Sequence, residues 1–213
     1  VNDIRTLRAG TLITHEIEIK RSRFIATLAR ADTEDEARAL IDMVRSEHPQ
    51  ARHNCSAYLI SADGRNAIQH SSDDGEPSGT AGTPMLEALK MSDTWNVTAV
   101  VTRYFGGVLL GAGGLIRAYS SAVSEALARA PHVVIKTLNI ARITVDPNDA
   151  GKFQSELHSA NVPIVGSTWD ARVHLDIAAT DDDIELWADR AMVLTHGRAS
   201  VHVTGQTRIE VDA

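Results

Sequence analysis

The chain of 213 residues reads as an α+β protein of two domains, residues 1–132 and 133–213. Three observations carry that reading. Runs that alternate apolar and polar residues are interleaved with runs of helical period. Pro131 ends a long helical pattern, and a new set of elements begins beyond it. Those later elements follow the order β-α-β-β-α-β, the ferredoxin-like split βαβ pattern.

Taken in order, Thr11–Ile19 places Ile13, Ile17 and Ile19 on one face and Thr14, Glu16 and Glu18 on the other, as a half-buried strand does. Lys20-Arg21-Ser22-Arg23 is a polar turn, and Phe24–Ala29 returns to close a hairpin. The three cations of that turn suit either solvent or a polyanion. Thr33 with Glu36 forms a capping box, the stripe Ala37, Leu40, Ile41 and Val44 makes a helix, and Pro49 closes it. Arg52-His53-Asn54-Cys55 leads into a strand at Ser56–Ile60. A turn at Asp63-Gly64 is followed by a return strand at Ile68–His70. The stretch from Ser71 to Gly82 is polar and rich in turn formers. Thr83 is then predicted to cap a short helix with Pro84 at its first position, turning Met85, Leu86 and Leu89 inward.

The stretch from Val97 to Ala130 holds the densest pattern. Val97, Ala99, Val100 and Val101 make a strand; Leu115, Tyr119, Ala122 and Ala126 recur at helical spacing. Between them lie Gly106, Gly107, Gly111, Gly113 and Gly114. A glycine costs ~1 kcal/mol where nothing requires it. The cluster therefore predicts positive φ or a close approach to the backbone. The helix start offers unpaired N–H groups and a positive dipole end, which suit a phosphate or a carboxylate. The same turn also serves simply to pack a helix on a sheet. Arg103 and Arg117 flank it, and arginine is suited to bidentate phosphate contact. Neither a Walker loop nor a complete Gly-x-Gly-x-x-Gly fingerprint is present.

Beyond Pro131, Leu138–Val145 is a strand and Asp149–Ala160 a helix with Phe153 and Leu157 one turn apart. Ile164–Trp169 and Arg172–Ala178 are two further strands, the second alternating Val173, Leu175 and Ile177 with polar residues. Asp181–Thr195 is a helix with acids at its start, stopped by Gly197, and Val201–Val211 is the closing strand.

Composition narrows the classes of function. The net charge of −7 includes no basic tail, so nucleic-acid binding has to come from a local patch. Residues 133–213 carry 7 Lys+Arg against 12 Asp+Glu, which makes the second domain the more acidic. No apolar run approaches the ~20 residues that span a bilayer, and no basic-then-apolar leader precedes the first strand. With Cys55 as the lone cysteine, a reducing, cytoplasmic setting is expected.

Two polar clusters carry candidate chemistry. His53 and Cys55 lie two apart on a strand, poorly aligned as base and nucleophile, so Cys55 is expected to be a small buried residue. His70, Asp73, Asp74 and Glu76 offer oxygen ligands or an acid–base pair, or a turn whose carboxylates accept backbone N–H bonds. Their spacing matches neither an EF-hand nor a zinc site, and no metal or cofactor is expected. The catalytic candidates are Asp73, Asp74, Glu76 and His53. The anion- or RNA-binding candidates are Arg103, Gly106, Gly107, Gly111, Gly113, Gly114 and Arg117.

Three stretches, taken together, resemble a known family. They are His53-Asn-Cys-x-Ala-Tyr58, the run from Asp73 to Leu86, and Arg103-Tyr-Phe-Gly-Gly-x-x-Leu-Gly-Ala-Gly-Gly-Leu-x-Arg-Ala-Tyr119. They are similar to the signature of the IMPACT family, in its bacterial, YigZ-type branch. The resemblance covers residues 10–131 closely. It implies an N-terminal domain of ribosomal-protein-type βαβ fold, as in domain IV of elongation factor G. It implies a C-terminal ferredoxin-like βαββαβ domain, as in that factor's domain V. Those relatives act on the ribosome or RNA, and eukaryotic family members regulate translation initiation. The resemblance thus implies a cytoplasmic RNA- or ribosome-binding protein that regulates translation, with a protein partner for the C-terminal domain. It implies no catalytic residues. Leu109 stands where the family usually has Lys, which removes one cation from the glycine turn. The alternative reading is a metal-assisted hydrolase, or a binder of a phosphorylated small molecule on that turn. A third is a protein-interaction module in which the two long motifs pack on each other.

Overall fold

In the computed structural model, residues 3–61 and 67–213 are described. The expected turn at Asp63-Gly64 lies outside the described residues. The chain forms two compact units, Asp3–Ile135 together with Val211–Ala213, and Lys136–Glu210. It is a mixed α/β protein throughout.

In the first unit, β1 (Ile4–Leu7) is followed by β2 (Leu12–Ile19), β3 (Ser22–Arg30), α1 (Glu34–Glu47), β4 (His53–Ile60) and β5 (Ile68–Ser72). Then come α2 (Gly82–Met91), β6 (Val97–Tyr104), α3 (Ala112–Leu127) and the start of β7 (His132–Val145). Five strands form one sheet in the order β2-β3-β6-β4-β5, every pair antiparallel. α2 and α3 cover one face through Leu86, Leu89, Ala118, Tyr119 and Val123. α1 covers the other through Ala37, Leu40, Ile41 and Val44. The inner strands β4 and β6 are therefore buried on both sides and read as nearly unbroken apolar runs, whereas the edge strand β2 alternates.

Local chemistry sets the element ends. Lys20 and Arg21 both have positive φ, 49° and 65°, and form a two-residue hairpin turn, so Ser22 and Arg23 belong to β3 and not to the turn. Thr33 caps α1 by accepting the Glu36 N–H at 3.2 Å, and the Glu36 carboxylate returns to the Asp32 N–H at 2.7 Å.

Thr83 does not cap α2. The helix begins at Gly82, whose N–H is taken by a carboxylate nine residues earlier, as described below. α3 likewise starts at Ala112, with Gly111 at its cap position. Two strand segments have no clear sequence signal: β1, and the first residues of β7. They pair with each other, Ile4 with Ile135 and Leu7 with His132, which is why the division between units falls after Ile135.

In the second unit, the remainder of β7 is followed by α4 (Pro147–Ser159), β8 (Ile164–Trp169), β9 (Val173–Ala179), α5 (Asp181–Leu194) and β10 (Ser200–Asp212). β9 lies between β7 and β8, and β10 pairs with the other side of β7. Ile143, Val145, Leu175 and Ile177 pack against Phe153, Leu157, Ile184 and Trp187 of the two helices. The β-α-β-β-α-β order read from the sequence is the observed one. Pro147, tolerated at the helix start, begins α4 two positions before the expected Asp149.

Candidate functional site

The acidic stretch Asp73–Glu76 is folded onto its neighbours, each carboxylate in a different direction. Asp73 accepts the N–H groups of Gly79 at 2.7 Å, Ala81 at 3.0 Å and Gly82 at 2.9 Å. It thus takes the first N–H of α2 from outside the helix. Burial alone acts to raise its carboxyl pKa, but these three donors outweigh it and hold the group below the usual carboxylate range.

Asp74 accepts the Asn54 N–H at 2.7 Å and pairs with Arg45 at 3.1 Å. Its carbonyl lies 2.9 Å from His53 Nδ1, so that nitrogen carries the proton and donates. Gly82 has to be glycine, since a Cβ there would lie 2.5 Å from the Ser72 nitrogen.

Glu76 turns inward. Its Oε1 meets Arg103 Nη1 at 2.6 Å and accepts the Tyr119 hydroxyl at 2.7 Å, with the Glu76 and Arg103 side chains 3% and 7% exposed. The Arg103 guanidinium sits over Phe24, 5.4 Å from its centroid, and over Phe105 at 5.6 Å. Register explains the convergence: Arg103 of β6 lies opposite both Phe24 of β3 and His53 of β4.

Cys55 is fully buried beside this network and donates to the Asp73 carbonyl at 3.0 Å. Burial pushes its thiol up to about 12, so it is not a thiolate nucleophile at neutral pH. Burial also drives the Tyr119 phenol far upward, and it remains a hydroxyl donor. Among the described residues, no group of three His, Cys, Asp or Glu side chains is arranged to hold a metal ion.

The glycine turn has separate local reasons. A Cβ on Gly106 would lie 2.0 Å from the carbonyl of Arg21, so the turn packs directly against the β2–β3 hairpin. The Gly106 N–H donates to the buried Ser22 hydroxyl at 3.2 Å. Gly111 caps α3 with φ 73°, and Gly107 also has positive φ. Gly114 packs on Leu110, while Gly113 has only Arg117 Nη1 nearby, at 3.8 Å. Arg117 thus folds back toward the helix start, and Leu109 points outward, 83% exposed.

The distribution of unpaired cations is what the sequence did not display. Most arginines of the first unit have carboxylate partners, as in Arg23–Glu16, Arg30–Asp32, Arg38–Glu34 and Arg129–Glu125. Among its described residues, Arg5, Lys20, Arg21, Arg52 and Arg117 are exposed and form no ion pair, Arg5 donating instead to the Ser92 carbonyl. The last four flank one region: the hairpin turn against Gly106, the entry to β4 opposite Arg103, and the first turns of α3. Phe105 lies among them, 54% exposed. Arg103, in contrast, is neutralised by Glu76. Phe105 stands within the long motif from Arg103 to Tyr119, and Arg52 opens the stretch to Cys55, but their residue types alone do not mark either as a binding residue; Lys20 and Arg21 form a basic turn.

Residues 20–127 match the Impact N-terminal domain. IMPACT family member YvyE of Bacillus subtilis is 40% identical over 92% of this chain and 89% of its own. IMPACT family member YigZ of Escherichia coli is 52% identical over 52% of this chain and 54% of its own. This α/β chain therefore belongs to the IMPACT family.

Among solved structures, one of a hypothetical protein aligns with a TM-score of 0.61 at 33% identity, over 96% of this chain and 98% of the other. The two-domain translational regulator Yih1 is 35% identical over 58% of this chain and 46% of its own, with a TM-score of 0.37.

Proposed function

We propose that this chain is a cytoplasmic regulator of translation that binds RNA or the ribosome through the cation-rich end of its first unit. The observation that carries this reading is the convergence of Lys20, Arg21, Arg52 and Arg117 beside an exposed phenylalanine. The chain's net charge is −7, so four unneutralised cations in one region create a local field that composition does not reveal. Phosphate contacts release counterions and supply most non-specific affinity for nucleic acid. The family supports a role in translation, since Yih1, related by sequence, is described as a translational regulator. The likeness of the two units to domains IV and V of elongation factor G belongs to the same proposal. So does a protein partner on the acidic second unit. No helix among the described residues is long and apolar enough to cross a membrane.

Co-sedimentation with ribosomes at low and moderate salt tests the reading. Retention at moderate salt, lost in a variant with Lys20, Arg21, Arg52 and Arg117 changed to Glu, is the expected result. Absence of binding at both salts overturns it. Arg103 is left intact in this test, because its partner Glu76 would be stranded in the interior.

A further inference from the structure

Where β4 begins and β6 ends, the surface folds in to form a pocket of about 650 Å³, with Gln50, Arg52, His53, Arg103, Phe105 and Leu109 among its walls. That volume falls within the ~300–1,000 Å³ of typical ligand clefts. Its chemistry is divided. Phe105 and Leu109 offer apolar surface to water, 54% and 83% exposed, and the Phe105 ring is backed by the Arg103 guanidinium. The polar side consists of Arg52, exposed and without an ion pair, and His53, whose Nδ1 is committed to the Asp74 carbonyl so that Nε2 remains for a ligand. Arg103 forms the buried wall: its side chain is 7% exposed and already held by Glu76, so Arg52 and His53 are the polar groups that face a ligand.

We infer that the pocket receives one unstacked nucleotide of a single-stranded RNA. The base lies against Phe105 and Leu109, and an anionic oxygen meets Arg52. This rests on the RNA-binding reading above and adds the form of RNA recognised. A flat aromatic face beside cations matches a nucleobase beside its phosphate. Bare phosphate would leave Phe105 and Leu109 in water. An RNA duplex keeps its bases stacked and offers none to the pocket.

The test is titration of the full chain with a labelled, unstructured single-stranded RNA and with a blunt duplex of the same length. Uridine 5′-monophosphate and inorganic phosphate serve as competitors. Single strand is expected to bind more tightly than duplex, and the mononucleotide to compete where phosphate does not. Phe105→Ala is expected to weaken single-strand binding by about tenfold or more, and Phe105→Trp to preserve it. Arg52→Ala is expected to weaken it and lower the slope of log affinity against log salt by about one. Phe105 is exposed, so its truncation spares the core, and an unchanged melting temperature verifies this for each variant.

Equal affinity of Phe105→Ala and wild type overturns the inference, as does equal affinity for duplex or equal competition by phosphate. If ribosome binding still depends on the four cations while Phe105→Ala binds RNA normally, the pocket falls and the translational reading stands. If neither RNA nor ribosomes bind, both fall.

Discussion

Glu76 and Arg103, 27 positions apart in sequence, meet at 2.6 Å in the interior of the first unit, and Tyr119 donates its hydroxyl to the same carboxylate oxygen. This joins the acidic stretch, β6 and α3, the parts that bear both long sequence motifs. The motifs are thus mutually packed, and Arg103 acts toward Glu76 before any ligand. Removing one partner leaves a buried charge, at a cost of ~3–5 kcal/mol. Glu76→Ala is expected to lose about that much stability in chemical denaturation, and Tyr119→Phe ~1.5–3 kcal/mol for one charge-assisted bond. A loss below ~1 kcal/mol in Glu76→Ala would show that the pair contributes little to stability.

Asp73 accepts three backbone N–H groups at and just before the start of α2, and its carboxyl lies below the usual range in the folded state. A lowered folded pKa makes this contribution fully present above the unfolded value of ~3.9 and lost as pH falls through the folded value. Asp73→Asn is therefore expected to be less stable at neutral pH, by ~0.5–2 kcal/mol as for a lost cap. Its stability should also fall less steeply on acidification below pH ~4. Urea unfolding across the acid range measures both; parallel curves for the two proteins would contradict the assignment.

Two glycines of the turn are expected to respond oppositely to alanine. At Gly106 a Cβ would lie 2.0 Å from the Arg21 carbonyl, and the backbone has to shift, destabilising the protein by ~1–3 kcal/mol or more. Gly113 lies inside α3 with only the tip of Arg117 near it, so Gly113→Ala should stabilise by up to ~1 kcal/mol through helix propensity. Melting temperatures decide between them. A Gly113→Ala variant that is more stable yet binds RNA poorly would mark this position as kept for function.

Cys55, fully buried and with its thiol raised to about 12, should resist alkylation in the native protein at pH 8 and react at once when unfolded. Thiol titration with and without denaturant shows this directly. Rapid native labelling would mean that the network around Asp73 and Tyr119 opens readily.

Local chemistry alone settled much of this protein. The alternation of β2, the stripe and capping box of α1, the stripe of α3 and the order of elements after Pro131 arise from periodicities and caps that span a few residues, so they are visible in the chain. The glycine turn was visible as a cost without a stated cause. Tertiary structure decided the causes. Gly106 is explained by a hairpin far away in sequence, the start of α2 by Asp73 nine residues earlier, and β1 by pairing with β7. It also decided which cations are neutralised. Sequence shows Arg103 and Arg117 as equivalent flanks of one turn, but antiparallel register brings Arg103 into the core beside Glu76 and leaves Arg117 in water. Whether a charge is paired depends on distances between residues that the chain order does not encode, and only the folded backbone sets those distances.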